Sequence, residues 1–355
     1  MQRAFGAVVR AVGLFIGLSV SLACACAGIA AAAELQTPVD HVRTADQTFL
    51  TFPEWYLVHS PAEYAGYLEG KGQVSAFPLF SHIGQFWQSY AAVNREIARY
   101  PFNGGYQLMV IVIGVSTTLE YGLKGLYEHT LGRLAEATRS GAAVPEEQFA
   151  ARYARSYVDF IRVDPWYLYD FWSRLRELWQ SVPIRGPDLV RRWERRFALS
   201  TELLVKAGYA RLIKLGSESI YDAPKPVTAV VVSRAPEPDP AGHAEFHVLS
   251  GGADGSPVVA TLPRYAAFSD YSQWLARQGI DFHEIAGNQG EILISVLVSG
   301  DAPSSAGRLV FEQPILTQPG RRRLVVAIAV AQLTAELRGA QQSQGRIALE
   351  HVYDY

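Results

Sequence analysis

The chain has 355 residues and is almost neutral, with 32 lysines and arginines against 34 aspartates and glutamates. A neutral chain has no bulk attraction to polyanions, so its composition predicts no nucleic-acid partner. Both cysteines, Cys24 and Cys26, lie near the start. A chain that has lost this segment can have no disulfide, thiolate nucleophile or cysteine metal site. The length favours two domains.

The first 33 residues have the layout of an export segment. Arg3 and Arg10 precede an uncharged run over 11–33, and Ala31 and Ala33 provide the small-residue pattern that signal peptidases require. We therefore predict cleavage after Ala33 and a mature protein in the periplasm or at the periplasmic face of the inner membrane. A helix needs about 20 residues to span a bilayer, so the same run is also long enough to remain as a membrane anchor. This alternative stays open.

Helical periodicity dominates the chain up to residue 221. Ser60-Pro61-Ala62-Glu63 is typical of a capping box with proline at the first helical position, so we predict a helix start there. Asp164-Pro165 predicts another start by the same reasoning. Together the periodic segments predict a helical-bundle domain over 40–221. The predicted helices cover 60–69, 78–99, 106–138, 146–163, 164–180 and 188–215.

Strand-like alternation follows the segment 222–226, whose two prolines block helix continuation. Two stretches, 258–285 and 325–352, have the same order of strand, helix and strand at nearly equal spacing. With the strand-like residues between them, this duplication predicts a ferredoxin-like domain over 226–355. The fold class predicted for the whole chain is therefore α+β.

A second apolar helix is predicted at 106–127. The run 108–115 is apolar without a break, but Glu120 and Lys124 follow it at a spacing that suits a helical ion pair. Acids outnumber bases before this helix and bases outnumber acids after it, which matches the charge rule for a membrane span. Two hypotheses remain: an integral inner-membrane protein with spans at 11–33 and 106–127, or a buried helix of the bundle.

The helix predicted after Asp164 is amphipathic and rich in aromatic residues, and a cluster of arginines follows it. Such a helix can lie in the bilayer interface, and the arginines can meet anionic headgroups. The alternatives are a helix packed into a core and a solvated arginine face. The candidate membrane or partner contacts are Trp166, Tyr167, Phe171, Trp172, Trp179, Arg191, Arg192, Arg195 and Arg196.

Stronger catalytic signatures are missing from the sequence, which has no P-loop, no nucleophile elbow and no H-E-x-x-H. His243, Glu245 and His247 would share one face of a strand, where two imidazoles and a carboxylate could hold zinc. An exposed polar strand is the alternative, and we predict no cofactor unless this zinc site forms.

A second group could carry acid–base chemistry. Glu54 and His59 lie in an aromatic segment that can perturb their pKa values, and His82 and Glu120 lie on the next helices. The alternative is a satisfied polar pair at a helix junction.

Aromatic amphipathic helices without a catalytic motif favour an envelope protein that binds an apolar small molecule or a protein partner at the inner membrane. The alternative is a hydrolase-like envelope enzyme using Glu54 and His59 or the His243/His247 site. A structural subunit of a membrane complex is a third possibility. A closed apolar cavity would favour ligand binding, and an exposed apolar patch would favour a complex subunit.

Overall fold

A computed structural model describes residues 35–217, 227–237, 239, 242–300 and 307–354. The predicted export segment over 1–33 and the proline segment over 222–226 lie outside these residues. The described part is α+β, with helices up to Ser217 and two antiparallel four-stranded sheets after it.

The helical part begins earlier than predicted. Its first helix runs without a break through Pro53 and Pro61, so a helix start at Ser60 is wrong. The capping-box side chains serve tertiary contacts instead. Ser60 Oγ bonds Tyr121 Oη at 2.9 Å, and Glu63 accepts the Thr317 amide proton at 2.7 Å. The helices are α1 (Gln47–Glu69), α2 (Leu79–Ile97), α3 (Gly104–Tyr127), α4 (Arg133–Glu136), α5 (Pro145–Ile161), α6 (Phe171–Ser181) and α7 (Leu189–Ser217).

The helices predicted at 78–99, 106–138 and 146–163 are confirmed, with one π turn, Glu128–Gly132, between α3 and α4. The helix predicted from Asp164 is wrong at its start. Its first residues form a short 3-10 turn, Trp166–Leu168, and α6 begins at Phe171. Asp170 caps it by accepting the Ser173 amide proton at 3.0 Å, which satisfies a backbone donor that the helix itself leaves unpaired.

The duplication is confirmed and extends beyond the predicted repeat. Each copy comprises three strands, a helix and a fourth strand, and the strand orders β2-β3-β1-β4 and β6-β7-β5-β8 are equivalent. The ferredoxin-like prediction is not confirmed, because the copies form two separate sheets. The elements are β1 (Val227–Val232), β2 (His247–Gly251), β3 (Val258–Pro263), α8 (Ala266–Arg277), β4 (Phe282–Ile285), β5 (Glu291–Ser299), β6 (Arg308–Pro314), β7 (Arg321–Ala329), α9 (Leu333–Gln342) and β8 (Ile347–Tyr353).

The second sheet, β5 to β8, is buried on both faces. Ile292 and Ile294 point into a core that it shares with the first sheet and with α8 and α9. Leu293 and Tyr353 point the other way, into a core that contains Phe52 of α1. The continuous apolar run of β5 follows from this position, since side chains alternate between two buried faces. The helical part and the sheets are therefore joined by a common core.

Thr48 of α1 joins the helical part to this sheet. Its Oγ1 donates to the Tyr353 carbonyl at 2.8 Å and accepts the Leu293 amide proton at 2.9 Å. Thr48→Val keeps the side-chain shape but leaves both buried backbone groups unpaired, at about 1–3 kcal/mol each. We expect the free energy of unfolding to fall by about 2–6 kcal/mol, measured as a lower urea midpoint at constant slope. Thr48→Ser keeps the hydroxyl and should lose less than half as much; equal losses in both variants would exclude this role.

Candidate functional site

The four arginines of α7 lie inside the protein, and a solvated arginine face is therefore wrong. All four residues are at most 3% exposed. Arg195 donates to both oxygens of Glu128 at 2.9 and 3.0 Å. Arg196 donates to Glu146 at 2.6 Å, and Arg192 donates to the same carboxylate at 3.2 Å. The arginines are not available to anionic headgroups, because carboxylates distant in the sequence converge on them.

Each of the four arginines is paired with at least one carboxylate. Arg191 bonds Glu147 at 2.8 Å and Glu194 at 3.0 Å, which completes four guanidinium groups against four carboxylates. Several further donors reach backbone carbonyls, including those of Leu178 and Val182, which accept from Arg196 at 3.1 Å each. A buried ion pair is tolerated only with such satisfaction, and removing one partner typically costs about 3–5 kcal/mol. We call these eight residues the Arg–Glu cluster.

The π turn lies at this cluster. It places Glu128 against Arg195, and its last residue must be small. A Cβ at Gly132 would lie 2.5 Å from the Glu128 carboxylate. The Gly132 carbonyl also accepts from Arg191 at 3.0 Å. Because π turns are rare and often occur at functional sites, this one marks the region where α3 and α7 meet as specialised.

The outer sides of α3 and α7 are apolar. Ion pairs between the inner sides, Glu120 with Lys206 and Lys124 with Glu202, each at 3.0 Å, hold the two helices side by side and antiparallel. We call the exposed apolar residues of these two helices together the α3–α7 face. Its large apolar members, all exposed, are Leu108, Met109, Ile111, Val112, Val115, Leu119, Leu123, Leu126, Leu189, Val190, Trp193, Phe197, Leu204, Val205, Tyr209 and Leu212.

The α3–α7 face is long and exposed, unlike the apolar side of a helix that packs into a protein core. The helical run Gly104–Glu136 is long and apolar enough to cross a membrane, and only 22% of its most apolar 18-residue window is buried. On α7, every exposed position from Val190 to Tyr209 is uncharged. At about 1.5 Å per residue this stripe is roughly 28 Å long. The opposite side of the bundle is polar, with Gln148, Arg152 and Asp159 exposed on α5.

The aromatic contact residues predicted near α6 are divided by the structure. Trp172 and Trp179 are exposed, and the Trp179 ring contacts Trp193 of the α3–α7 face at 6.3 Å between centroids. Trp166 and Tyr167 are half-buried against the helical core. Phe171 is only 1% exposed and cannot contact a membrane, because it packs inside at the first turn of α6.

A cavity of about 70 Å³ lies between α1, α3, α5 and α7, and polar side chains line much of it. Lys124 and Lys206 both bind Glu202, at 3.0 and 3.1 Å, and Lys206 also binds Glu120. The ammonium groups lie over aromatic rings, with Lys124 4.5 Å from the Tyr64 centroid and Lys206 5.1 Å from that of Tyr157. The lining also includes Tyr56, Tyr121 and Tyr153.

This cavity differs from the closed apolar cavity that would favour binding of an apolar molecule. Sequence reasoning named only Glu120 and Lys124 from this group and treated them as an ion pair within one helix. Their partners are on α7, about 80 residues further along the chain. The spacing of Glu202 and Lys206, an i,i+4 pair on α7, was the available signal.

The predicted acid–base residues have separate partners. Glu54 accepts from Tyr106 Oη at 2.8 Å. His59 bonds Tyr353 Oη at 2.9 Å and lies 3.5 Å from Glu350. His82 bonds Tyr56 Oη at 3.1 Å and Ser60 Oγ at 3.0 Å. Glu120 contacts Lys206 in the cavity. These contacts do not assemble the four residues into one catalytic group.

Burial determines the charge states of this region. It lowers the pKa of His59 to about 4 and that of His82 to about 3. Burial alone would raise the pKa of Glu350, but the Arg323 guanidinium, 2.6 Å away, holds it at about 2. Burial raises the pKa of Glu54. At neutral pH the two imidazoles are therefore uncharged, and they join α1 to α2 and to β8 as neutral hydrogen-bonding groups.

The predicted metal-binding residues do not share a strand face, because β2 begins only at His247. His243 bonds Asp239 at 2.8 Å and stacks on Trp274 at 4.4 Å, while the Glu245 amide donates to Tyr271 Oη. Within the described residues, no group of three or more histidine, cysteine, aspartate or glutamate side chains is arranged to hold a metal ion.

Comparison with known proteins adds no relative, since no family model, no curated sequence and no solved structure matches the chain.

The buried histidines make stability depend on pH. Because His59 has a pKa near 4 in the folded protein and about 6.5 when unfolded, the unfolded chain takes up the proton first as pH falls. Its contribution is complete above pH 6.5 and is lost between pH 6.5 and 4. We expect His59→Gln to flatten the unfolding free energy against pH by up to about 1.4 kcal/mol per pH unit, measured by urea unfolding from pH 7.5 to 4.5.

The exposed His283 supplies the control, since His283→Gln changes a histidine that has water around it. This variant should keep the wild-type slope. A His59→Gln slope parallel to the wild type would contradict the assignment of His59 as a buried neutral group.

Proposed function

We propose that the protein is an exported envelope protein that docks onto the bilayer of the inner membrane through the α3–α7 face. The two sheets would then stand on the aqueous side and be available to a partner. The observation that carries the proposal is the inverted polarity of α7, which has buried arginines on its inner side and apolar residues on its outer side.

The size of the α3–α7 face supports a lipid environment. Soluble monomers rarely expose many large apolar side chains together, because contact between apolar surface and water is unfavourable in free energy. The uncharged stripe of α7 extends over roughly 28 Å, so its apolar side is long enough to lie along a bilayer surface. Trp172, Trp179 and Trp193 lie exposed at or beside the face, and tryptophan is enriched at the headgroup level.

One-sided polarity favours docking over crossing. A bundle that spans a membrane must be apolar around its circumference, whereas α5 exposes Arg152 and Asp159 on the far side. A surface helix pair with one apolar side buries that side to a depth of about 5–10 Å and leaves the other in water. The alternative that residues 106–127 cross the inner membrane stays a prediction, and we propose docking in its place.

The alternative of an enzyme has less support. Glu54 and His59 have different partners, and both are buried beside the sheets and away from the cavity. Ligand binding in an apolar cavity is likewise weaker, because the cavity between the helices is lined by charged groups.

Export rests on residues 1–33, where the uncharged run ends in small residues and is followed at once by Glu34. We expect intact-mass measurement of protein purified from the envelope fraction to give a chain beginning at Glu34. A full-length mass would instead favour retention of 11–33 as an anchor. Recovery of the protein solely from the cytoplasmic fraction would contradict export.

Docking is tested by spin labels on single cysteines at Val112, Val205 and Gln148, in a chain with Cys24→Ser and Cys26→Ser. Vesicles of phosphatidylcholine and phosphatidylglycerol provide the bilayer. Val112 and Val205 are exposed apolar residues of the α3–α7 face, and Gln148 is the matched exposed position on α5. We expect labels at 112 and 205 to collide several-fold more with oxygen, which concentrates in lipid, than with a water-soluble nickel chelate. The label at 148 should show the reverse.

This measurement distinguishes lipid from other environments even where 11–33 is retained as an anchor. Strong collision with the nickel chelate at 112 and 205 would mean that the face is in water. Weak collision with both reagents would mean that a protein partner or a second copy covers it. Either result would overturn docking to the bilayer.

A further inference from the structure

The cavity between α1, α3, α5 and α7 reaches the surface within the α3–α7 face. Glu120, which lines it, is 45% exposed. On α3 this residue lies directly after Leu119 and one turn before Leu123, both exposed members of the face. On α7, Lys206 directly follows the exposed Val205. The charged cavity therefore opens at Glu120, between α3 and α7, with exposed apolar residues of both helices close to it.

The inner charges of the cavity do not cancel without Glu120. Lys124, Glu202 and Lys206 are each at most 20% exposed, and together they carry one net positive charge. Glu120 supplies the balancing carboxylate from the rim, through one contact of 3.0 Å to Lys206. Because Glu120 is exposed and held by this single ion pair, another carboxylate can replace it on Lys206 at small cost.

Size and lining restrict what can enter. Since one water needs roughly 10–15 Å³ by the same kind of measure, a cavity of about 70 Å³ admits a carboxylate with a few methylenes. The phosphodiester headgroup of a two-chain lipid is larger. The rings of Tyr64 and Tyr157, which already lie against the two ammonium groups, give an apolar wall for the first carbons of a chain.

We propose that this cavity binds the carboxylate of a single-chain fatty acid, with Lys206 as its ion partner, Glu120 as the carboxylate it displaces, and the acyl chain along the α3–α7 face. The position of the acyl chain rests on the proposed docking function. The carboxylate site itself rests only on the cavity and its charges.

The test uses the full chain in phosphatidylcholine nanodiscs and dodecanoate labelled with carbon-13 at the carboxyl group. The carboxyl resonance reports binding, and acetate and dodecyltrimethylammonium are titrated in parallel. We expect saturable binding of dodecanoate, at least tenfold weaker binding of acetate, and no competition by the cation. Lys206→Met should weaken binding at least tenfold, because the ligand carboxylate loses its ion partner.

Glu120→Gln should tighten binding about fivefold or more, because the competing internal carboxylate is gone. A misfolded variant cannot give this gain, so the result stands even where Lys206→Met fails to fold. Arg152→Gln, on the polar side of α5, is the control and should bind as the wild type does.

Each contrary outcome has a defined meaning. Equal binding of dodecanoate and acetate would overturn the lipid assignment, and binding of the cation would overturn the anion site. Weaker binding by Glu120→Gln would overturn the displacement. Binding of dodecanoate that depends on Lys206, with spin labels at 112 and 205 in water, would support the carboxylate site and refute docking. Labels at 112 and 205 in lipid, with no binding of dodecanoate, would support docking and refute the carboxylate site.

Discussion

Compensation of the buried arginines of α7 is the constraint on which the helical part depends. Four guanidinium groups cannot be buried unless each meets a carboxylate or a carbonyl. The required carboxylates come from the π turn after α3, from the first turn of α5 and from α7 itself. To bring these groups together, α7 must turn its charged side inward. Its other side, which carries Trp193 and Phe197, is then left outside.

The same pairing determines how α3 is placed. Contacts from Glu120 to Lys206, from Lys124 to Glu202 and from Glu128 to Arg195 follow one another down the two helices, which makes them antiparallel. Leu123 and Leu126, which lie between these contacts on α3, are exposed on its outer side. A single polar seam therefore produces both the α3–α7 face and the cavity that opens within it.

Much of the fold could be predicted from the sequence because its periodicities are local. The spacing of apolar residues predicts the helices α2, α3 and α5. Two similar strand–helix–strand segments predict the duplication. The start of α1 could not be predicted, because Ser60 and Glu63 form contacts with residues 61 and 254 positions away instead of capping a helix.

The polarity of α7 was beyond sequence reasoning for a different reason. A helical wheel separates Arg191, Arg192, Arg195 and Arg196 from the apolar residues, but it does not say which side faces inward. The usual assumption, that charges face water, is reversed here by acids 44 to 67 positions away in the chain. The cavity could not be predicted for the same reason. Glu202 and Lys206 line it only because they form ion pairs with Lys124 and Glu120 of α3.

The environment of α7 determines the free-energy cost of having charged residues inside and apolar residues outside. In water, the arrangement is unfavourable twice, because charged groups lose hydration inside while apolar side chains remain exposed outside. In a bilayer interface the second cost disappears, since the α3–α7 face then meets acyl chains. The first cost remains and is offset by the Arg–Glu pairs, which a low-dielectric neighbour strengthens. A bilayer interface would therefore satisfy both sides of α7, and this energetic argument is the basis of our proposal that the protein docks there.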